Sequence, residues 1–182
     1  MPELLIVTGP PGAGKTTVAE ILAGRHDRGV HVEADVFWRF IRSGHIEPWE
    51  AESHEQNATV IRGAVDAAIA YTEGGYFTVL DGIVGPRWFL EPVRARLAER
   101  GVTLDYAILR PRLEVALDRA TGRRAEARHA DALHAPAVIE QLYRGFTNLG
   151  EFEAHVIDSS NLSAAESAAE IESMRAAGRL RL

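Results

Sequence analysis

The chain has 182 residues, 46% of them hydrophobic and 25% charged, the profile of a globular protein with a sizeable core. Its 26 acidic side chains outnumber its 20 basic ones, for a net charge of -6. That argues against a broad nucleic-acid or anionic-membrane surface, because both partners need clustered positive charge; the lack of cysteine excludes disulfides, thiolate nucleophiles and cysteine-ligated zinc.

Short apolar runs alternate with longer helical patterns along the chain. Leu4–Thr8 reads as a buried strand and Lys15–Arg25 as a helix. No charged region precedes that first strand, so no signal peptide is expected. No stretch approaches the roughly 18 apolar residues of a membrane helix, and a cytoplasmic location is expected. Val30–Glu33 reads as a second strand, Val36–Arg42 as a helical piece, and Ser43–His54 as a polar segment containing aromatics. Residues 55–73 form a long helix stopped by Gly74-Gly75. Tyr76–Leu80 is a third strand, Phe89–Arg100 a helix and Leu104–Leu109 a fourth strand. Helices at about 112–120 and 136–148 flank a basic, histidine-containing stretch, and His155–Ile157 is a short fifth strand. Ser163 and Glu166 have the spacing of a capping box at the start of the last helix. Strands that are apolar throughout, alternating with helices, imply one α/β domain over residues 1–182 with a parallel sheet covered on both faces.

Gly9-Pro10-Pro11-Gly12-Ala13-Gly14-Lys15-Thr16 matches G-x-x-x-x-G-K-[ST], with a strand before it and a helix after it. Glycines let backbone N–H groups approach phosphate oxygens with no Cβ in the way. The helix start adds unpaired N–H groups and partial positive charge. Lys15 brings a full charge to the outer phosphates, and Thr16 offers a hydroxyl to Mg²⁺. The segment Gly9–Thr17 therefore points to ATP with Mg²⁺, through Gly9, Gly12, Ala13, Gly14, Lys15, Thr16 and Thr17. The motif leaves the reaction open, because ATPases, GTPases and kinases share it.

Ligands of open α/β sheets bind beyond the carboxyl ends of strands. Asp35, just past the second strand, is placed to accept a hydroxyl proton near the transferred phosphate. The same residue would also serve as a plain N-cap for the following helix. Glu33 competes for the base role, but strand alternation turns it away from Asp35.

The phosphate loop followed by His31-Val32-Glu33-Ala34-Asp35 resembles the small P-loop kinases, a group that includes chloramphenicol phosphotransferase, gluconate kinase and the zeta-toxin kinases. The likeness extends to bacterial gluconate-kinase-like proteins through Ser43-Gly44-His45-Ile46-Glu47-Pro48-Trp49-Glu50. It implies a three-layer α/β/α P-loop NTPase fold with a five-stranded parallel sheet and a small lid at about 121–134. It also implies that Asp35 contacts the acceptor hydroxyl as base.

Asp81 ends the third strand ahead of Gly82. It can hold Mg²⁺ directly or through water, or form a simple Asp-Gly turn. By resemblance it can instead face the acceptor. Thr78 is expected in the core. Arg119, Arg123, Arg124 and Arg128 crowd one stretch, and a guanidinium fork stabilises the charge of phosphoryl transfer well. The resemblance implies one arginine on the adenine base, matched to Arg119, and another on the phosphates, matched to Arg123. A solvated basic helix face explains the same residues. In related kinases the loop after the fifth strand borders adenine, which makes Ser160 and Asn161, with Ser159, candidates for base contacts; a polar turn is the plain alternative. Phe37, Trp38, Trp49 and Trp88 are candidate acceptor walls or packing residues, and Arg39, His45 and Arg87 candidate acceptor anchors, with Arg87 foremost. The histidines lack metal-ligand spacing, so no structural zinc is expected.

These readings converge on transfer of the γ-phosphoryl group of ATP to a hydroxyl of a small molecule such as a sugar acid or antibiotic. The expected catalytic set is Asp35, Lys15 and Arg123, with Thr16 and Asp81 for the metal and Asp35, Asp81, Arg87 and Trp49 for the acceptor. A monomer or homodimer with no nucleic-acid or membrane partner is expected. A nucleotide or nucleotide-sugar kinase of the toxin type and a regulatory ATPase without an acceptor remain the alternatives.

Overall fold

The structure, a computed structural model, describes residues 2–122 and 135–182. Five strands are seen among them: β1 (Glu3–Thr8), β2 (Gly29–Glu33), β3 (Phe77–Asp81), β4 (Thr103–Leu109) and β5 (Val156–Ile157). The helices are α1 (Lys15–Gly24), α2 (Asp35–Trp38), α3 (His54–Glu73), α4 (Leu90–Glu99), α5 (Leu113–Gly122), α6 (Pro136–Arg144) and α7 (Ala164–Ala176). The strands lie in the order β2-β3-β1-β4-β5, and every pairing between them is parallel. Helices cover both faces, giving the three-layer α/β/α architecture of P-loop NTPases.

Strand alternation sorts the apolar side chains into two cores. Leu4, Ile6, Val32 and Leu80 face one side, where they meet Ile61, Val65 and Ile69 of α3 and Val93 and Leu97 of α4. Leu5, Val7, Val79 and Leu109 face the other, against Val18 and Leu22 of α1 and Ile171 and Met174 of α7. Both faces being dry explains why these strands read as unbroken apolar runs. The expected core position Thr78 is fully buried.

Several boundaries differ from the sequence reading. Asp81 is the last residue of β3, so its backbone is held by the ladder. The helical piece expected over Val36–Arg42 is only the four residues of α2. Beyond it the chain tightens into turns, with Arg39, Phe40 and Ile41 donating to the carbonyls three residues back. The helix expected over 136–148 stops at Arg144, and Asn148 adopts a left-handed conformation with φ 54°. His155 closes a 3-10 helix over Gly150–His155 instead of opening the fifth strand, and its ring nitrogen Nδ1 lies 3.0 Å from the Tyr106 carbonyl. The capping box forms as expected: the Ser163 side chain accepts from the Glu166 amide, and Glu166 returns a bond to Ser163.

The loop after β3 is tied down by two buried side chains. The Val84 amide donates to Thr8 Oγ1 at 3.0 Å, and the Tyr106 hydroxyl donates to the Val84 carbonyl at 2.6 Å. Burial pushes the Tyr106 phenol far above its ordinary range, so it remains a donor. Tyr106→Phe leaves that buried carbonyl without its partner and should cost about 1–3 kcal/mol. Urea unfolding should show a lower midpoint with an unchanged slope.

Candidate active site at the carboxyl ends of β1, β2 and β3

β1 is the central strand, and the chain turns directly from its carboxyl end into the phosphate loop and α1. Gly14 is the α1 N-cap with φ 90°, and no side chain caps the helix. This is the arrangement in which helix-start N–H groups face an anion. Within the loop, the Ala13 amide donates to the Pro10 carbonyl at 3.2 Å. Lys15 Nζ folds back to the same carbonyl at 3.1 Å. Gly12 has φ +78°, and a Cβ there would stand 2.1 Å from the Ala116 carbonyl oxygen. The loop thus rests on α5 with no room for a side chain.

Asp81 is only 2% exposed, and its carboxylate is held from both sides. Thr16 Oγ1 donates to Oδ2 at 2.8 Å. His31 Nε2 lies 2.8 Å from Oδ1. Burial draws the His31 pKa down, but the hydrogen bond and charge of Asp81, with Glu20 and Glu33, outweigh it and raise it overall. The hydroxyl and carboxylate oxygens of Thr16 and Asp81 suit a hard cation such as Mg²⁺, which is bound by a few protein oxygens together with phosphates and water. Among the described residues no group of three or more His, Cys, Asp and Glu side chains forms a metal cage, and a nucleotide-borne Mg²⁺ does not require one.

Asp35 stands in the first turn of α2. Ala34, not Asp35, is the N-cap, and no side chain caps that helix, so the plain capping role is not what places the carboxylate here. Its surface is open to solvent, yet protein atoms crowd it and strip part of its hydration. This crowding raises its pKa; the Asp81 charge adds to the rise, while Lys15 and Arg39 oppose it. Glu33 is the last residue of β2. The backbone turns helical at Ala34 (φ -61°), which ends the alternation. Glu33 lies within electrostatic reach of both Asp81 and Asp35, and burial plus those charges raise its pKa.

On the far side of the loop, an Arg119 guanidinium nitrogen donates to the carbonyls of Ser159 at 3.1 Å and Ser160 at 3.4 Å. Ser159 Oγ donates to the Ala13 carbonyl at 3.4 Å. Arg119 and the Ser160-Asn161 turn therefore meet beside the phosphate loop. The Ser160 hydroxyl is already engaged by the Arg112 amide at 2.8 Å and by Asp158, while Asn161 is exposed. The hydrogen bonds from Ser160 hold the Asp158 carboxyl below its usual range.

The acceptor candidates are more dispersed. Arg87 is exposed and donates to the Asn148 carbonyl at 2.8 Å. Trp49 is half-buried, its carbonyl 3.4 Å from Gln141 Nε2. Neither makes a hydrogen bond or ion pair with Asp35 or Asp81 among the described residues. Trp38 Nε1 donates to Asn57 Oδ1 at 3.1 Å, a packing role. Trp88 lies against Gly85 and Gly145. Arg123, Arg124 and Arg128 lie outside the described residues, as does the expected lid apart from Thr121 and Gly122, which close α5. The sequence reading passed over His31. The residue stands two before Glu33 in β2, but only the pairing of β2 with β3 brings it to Asp81.

The family model described as AAA domain (AAA_33) matches residues 4–149. An adenylate kinase of Clostridium perfringens is 30% identical over 132 residues, which is 68% of this chain. The chain spans about 60% of that protein's length. Among solved structures, the tunicamycin resistance protein of Deinococcus radiodurans superposes with a TM-score of 0.69 at 18% identity, covering 96% of each chain. A gluconokinase of Sinorhizobium meliloti superposes with a TM-score of 0.61 at 16% identity, covering 98% of this chain and 94% of its own. At these identities the two structures share the fold. No helix among the described residues is long and apolar enough to cross a membrane.

The close packing of the loop on α5 gives a direct check. Gly12→Ala should weaken ATP binding by at least about tenfold, because backbone must shift to admit the methyl group. Gly24→Ala, where the added Cβ meets nothing within 4 Å, should bind ATP as the parent does. Calorimetric titration with ATP reads both.

Proposed function

The chain belongs to the AAA-domain family AAA_33 and is P-loop kinase-like, and from that premise we propose that it transfers the γ-phosphoryl group of ATP to a hydroxyl of a small molecule. The observation that carries this reading is the placement of Asp35. Its carboxylate is open to solvent and lies within electrostatic reach of Lys15 of the phosphate loop. A switch ATPase needs no such base on the acceptor side of its phosphates.

In this reading the loop amides and Lys15 hold the triphosphate. Thr16 and Asp81 hold Mg²⁺, which supplies charge neutralisation to the phosphates. Asp35 orients the acceptor hydroxyl and takes its proton as the new O–P bond forms to the γ-phosphorus. The bond between that phosphorus and the β–γ bridging oxygen breaks, and ADP leaves. Arg119 and Asn161 border the base, and Arg123 is assigned to the transferred phosphate. A sugar acid or an antibiotic is the acceptor class we favour, and the solved gluconokinase and tunicamycin resistance protein of the same fold support it. The sequence likeness to an adenylate kinase supports a second reading, with a nucleotide as acceptor. Both reactions are assigned to the cytoplasm.

Two measurements test the mechanism. Incubation with Mg-ATP and a panel of sugar acids, antibiotics and nucleoside monophosphates, read by mass, should give one phosphorylated class; ADP released equally with and without every acceptor would overturn the proposal. With the acceptor in hand, Lys15→Ala should abolish transfer, and Asp35→Asn should bind ATP normally but lose about 10²–10⁴ in kcat. The pH dependence has a definite sign. Asp35 must be ionised to accept a proton, and its pKa is raised, so activity should fall as pH drops through a value above that of a free aspartate. Arg39 opposes that rise, so Arg39→Gln should move the acid limb of kcat/KM to still higher pH.

A further inference from the structure

A threonine hydroxyl has one proton and two lone pairs. In this site the Thr16 proton is committed to Asp81 Oδ2 at 2.8 Å, which leaves the lone pairs for a cation. Where that proton points depends on how the Asp81 carboxylate is rotated about its last bond. That torsion is soft in aspartate, with a broad, roughly twofold profile. A single hydrogen bond to one oxygen does not fix it.

The second oxygen is fixed from a different strand. His31 Nε2 lies 2.8 Å from Oδ1. β2 pairs with β3 so that His31 lies opposite Val79 and Glu33 opposite Asp81. Side chains two apart on a strand share a face, so the ring reaches diagonally across one ladder step to the carboxylate. Asp81 is nearly sealed from water, and the His31 ring is itself largely covered. No solvent molecule is needed to complete the pair, and the carboxylate is gripped between α1 and β2.

We propose that His31 is a positioning residue: by donating from Nε2 it locks the Asp81 carboxylate in the rotation that takes the Thr16 proton, so that the Thr16 hydroxyl presents its lone pairs to the divalent cation of the bound nucleotide. The inference rests on the kinase reading, in which Thr16 and Asp81 hold Mg²⁺. It adds a third residue, two strands from the phosphate loop, that touches neither nucleotide nor cation. If His31 merely satisfied a buried acid, its loss would lower stability and leave the response to Mg²⁺ intact.

The test compares ATP affinity by calorimetry in EDTA and in excess MgCl₂, with thermal unfolding alongside. His31→Leu fills similar space with no donor. His31→Gln sets an amide N–H near the position of Nε2. ATP affinity in EDTA should be the same in both variants and the parent. The gain on adding MgCl₂ should shrink about tenfold or more in His31→Leu, the usual effect of removing an outer partner of a metal ligand, and should be largely retained in His31→Gln. Should His31→Leu fail to fold, His31→Asn takes its place: its amide falls short of Oδ1, and the gain should shrink likewise. A parental gain in His31→Leu or His31→Asn, or an equal loss in His31→Gln, overturns the role of His31 while leaving the kinase reading standing. A parent protein whose ATP affinity ignores MgCl₂ overturns the cation site and this inference together.

Discussion

A carboxylate buried as deeply as Asp81 is costly unless both of its oxygens find partners. The sheet meets that demand with a hydroxyl from α1 and an imidazole from β2, each at 2.8 Å. Three elements distant in sequence are thereby tied at the mouth of the phosphate loop. The same carboxylate raises the proton affinity of its neighbours His31, Glu33 and Asp35. Its backbone takes part as well, because the Asp81 carbonyl accepts from the Ala34 amide at 2.9 Å, one residue before Asp35. The position of Asp35 is therefore partly set by the strand that carries Asp81.

Charge balance at the cleft follows from this grouping. Three acids stand near one another, and Lys15 and Arg39 are the cations that act on Asp35. Desolvation first, and the neighbouring acid charges after it, push Asp35 and Glu33 toward the protonated form. A general base benefits from such a shift, because proton transfer is most effective when its pKa approaches the working pH. The amino-terminal half of β4 shows the contrasting solution. There buried Asp105 is held by Arg175 and Arg181, each at 2.8 Å. That acid is neutralised by two guanidinium groups and serves to fasten the end of the chain to β4.

Much of this was legible from residues alone. Apolar runs located the strands because both sheet faces are dry, and the glycine-lysine motif located the loop because few other residues tolerate its backbone. The strand-end rule singled out Asp35 and Asp81 without any coordinates. His31 was not legible, because sequence does not say that β2 lies beside β3, and alternation alone placed it on a face with no named partner. For Glu33, the alternation that governs a strand ends at the next residue, where Ala34 turns helical. The early end of α2 was not legible, because the run Val36–Ile41 is apolar enough for a longer helix, while packing accompanies tighter turns: Phe37 lies on Gly63 and Trp38 is bonded to Asn57. For the acceptor, aromatic and arginine residues are dispersed over several loops, and Arg87 and Trp49 are each engaged by backbone or side-chain partners away from Asp35.

The central claim is that the loop from Gly9 to Thr17 grips a triphosphate whose cation is received by Thr16 beside Asp81. A crystal structure with a non-hydrolysable ATP analogue and Mg²⁺ tests it most directly. The account predicts the cation about 2.0–2.1 Å from Thr16 Oγ1, Asp81 still bonded to both Thr16 and His31, and the γ-phosphate facing Asp35. A nucleotide seated elsewhere, or a cation bound away from Thr16, would contradict it.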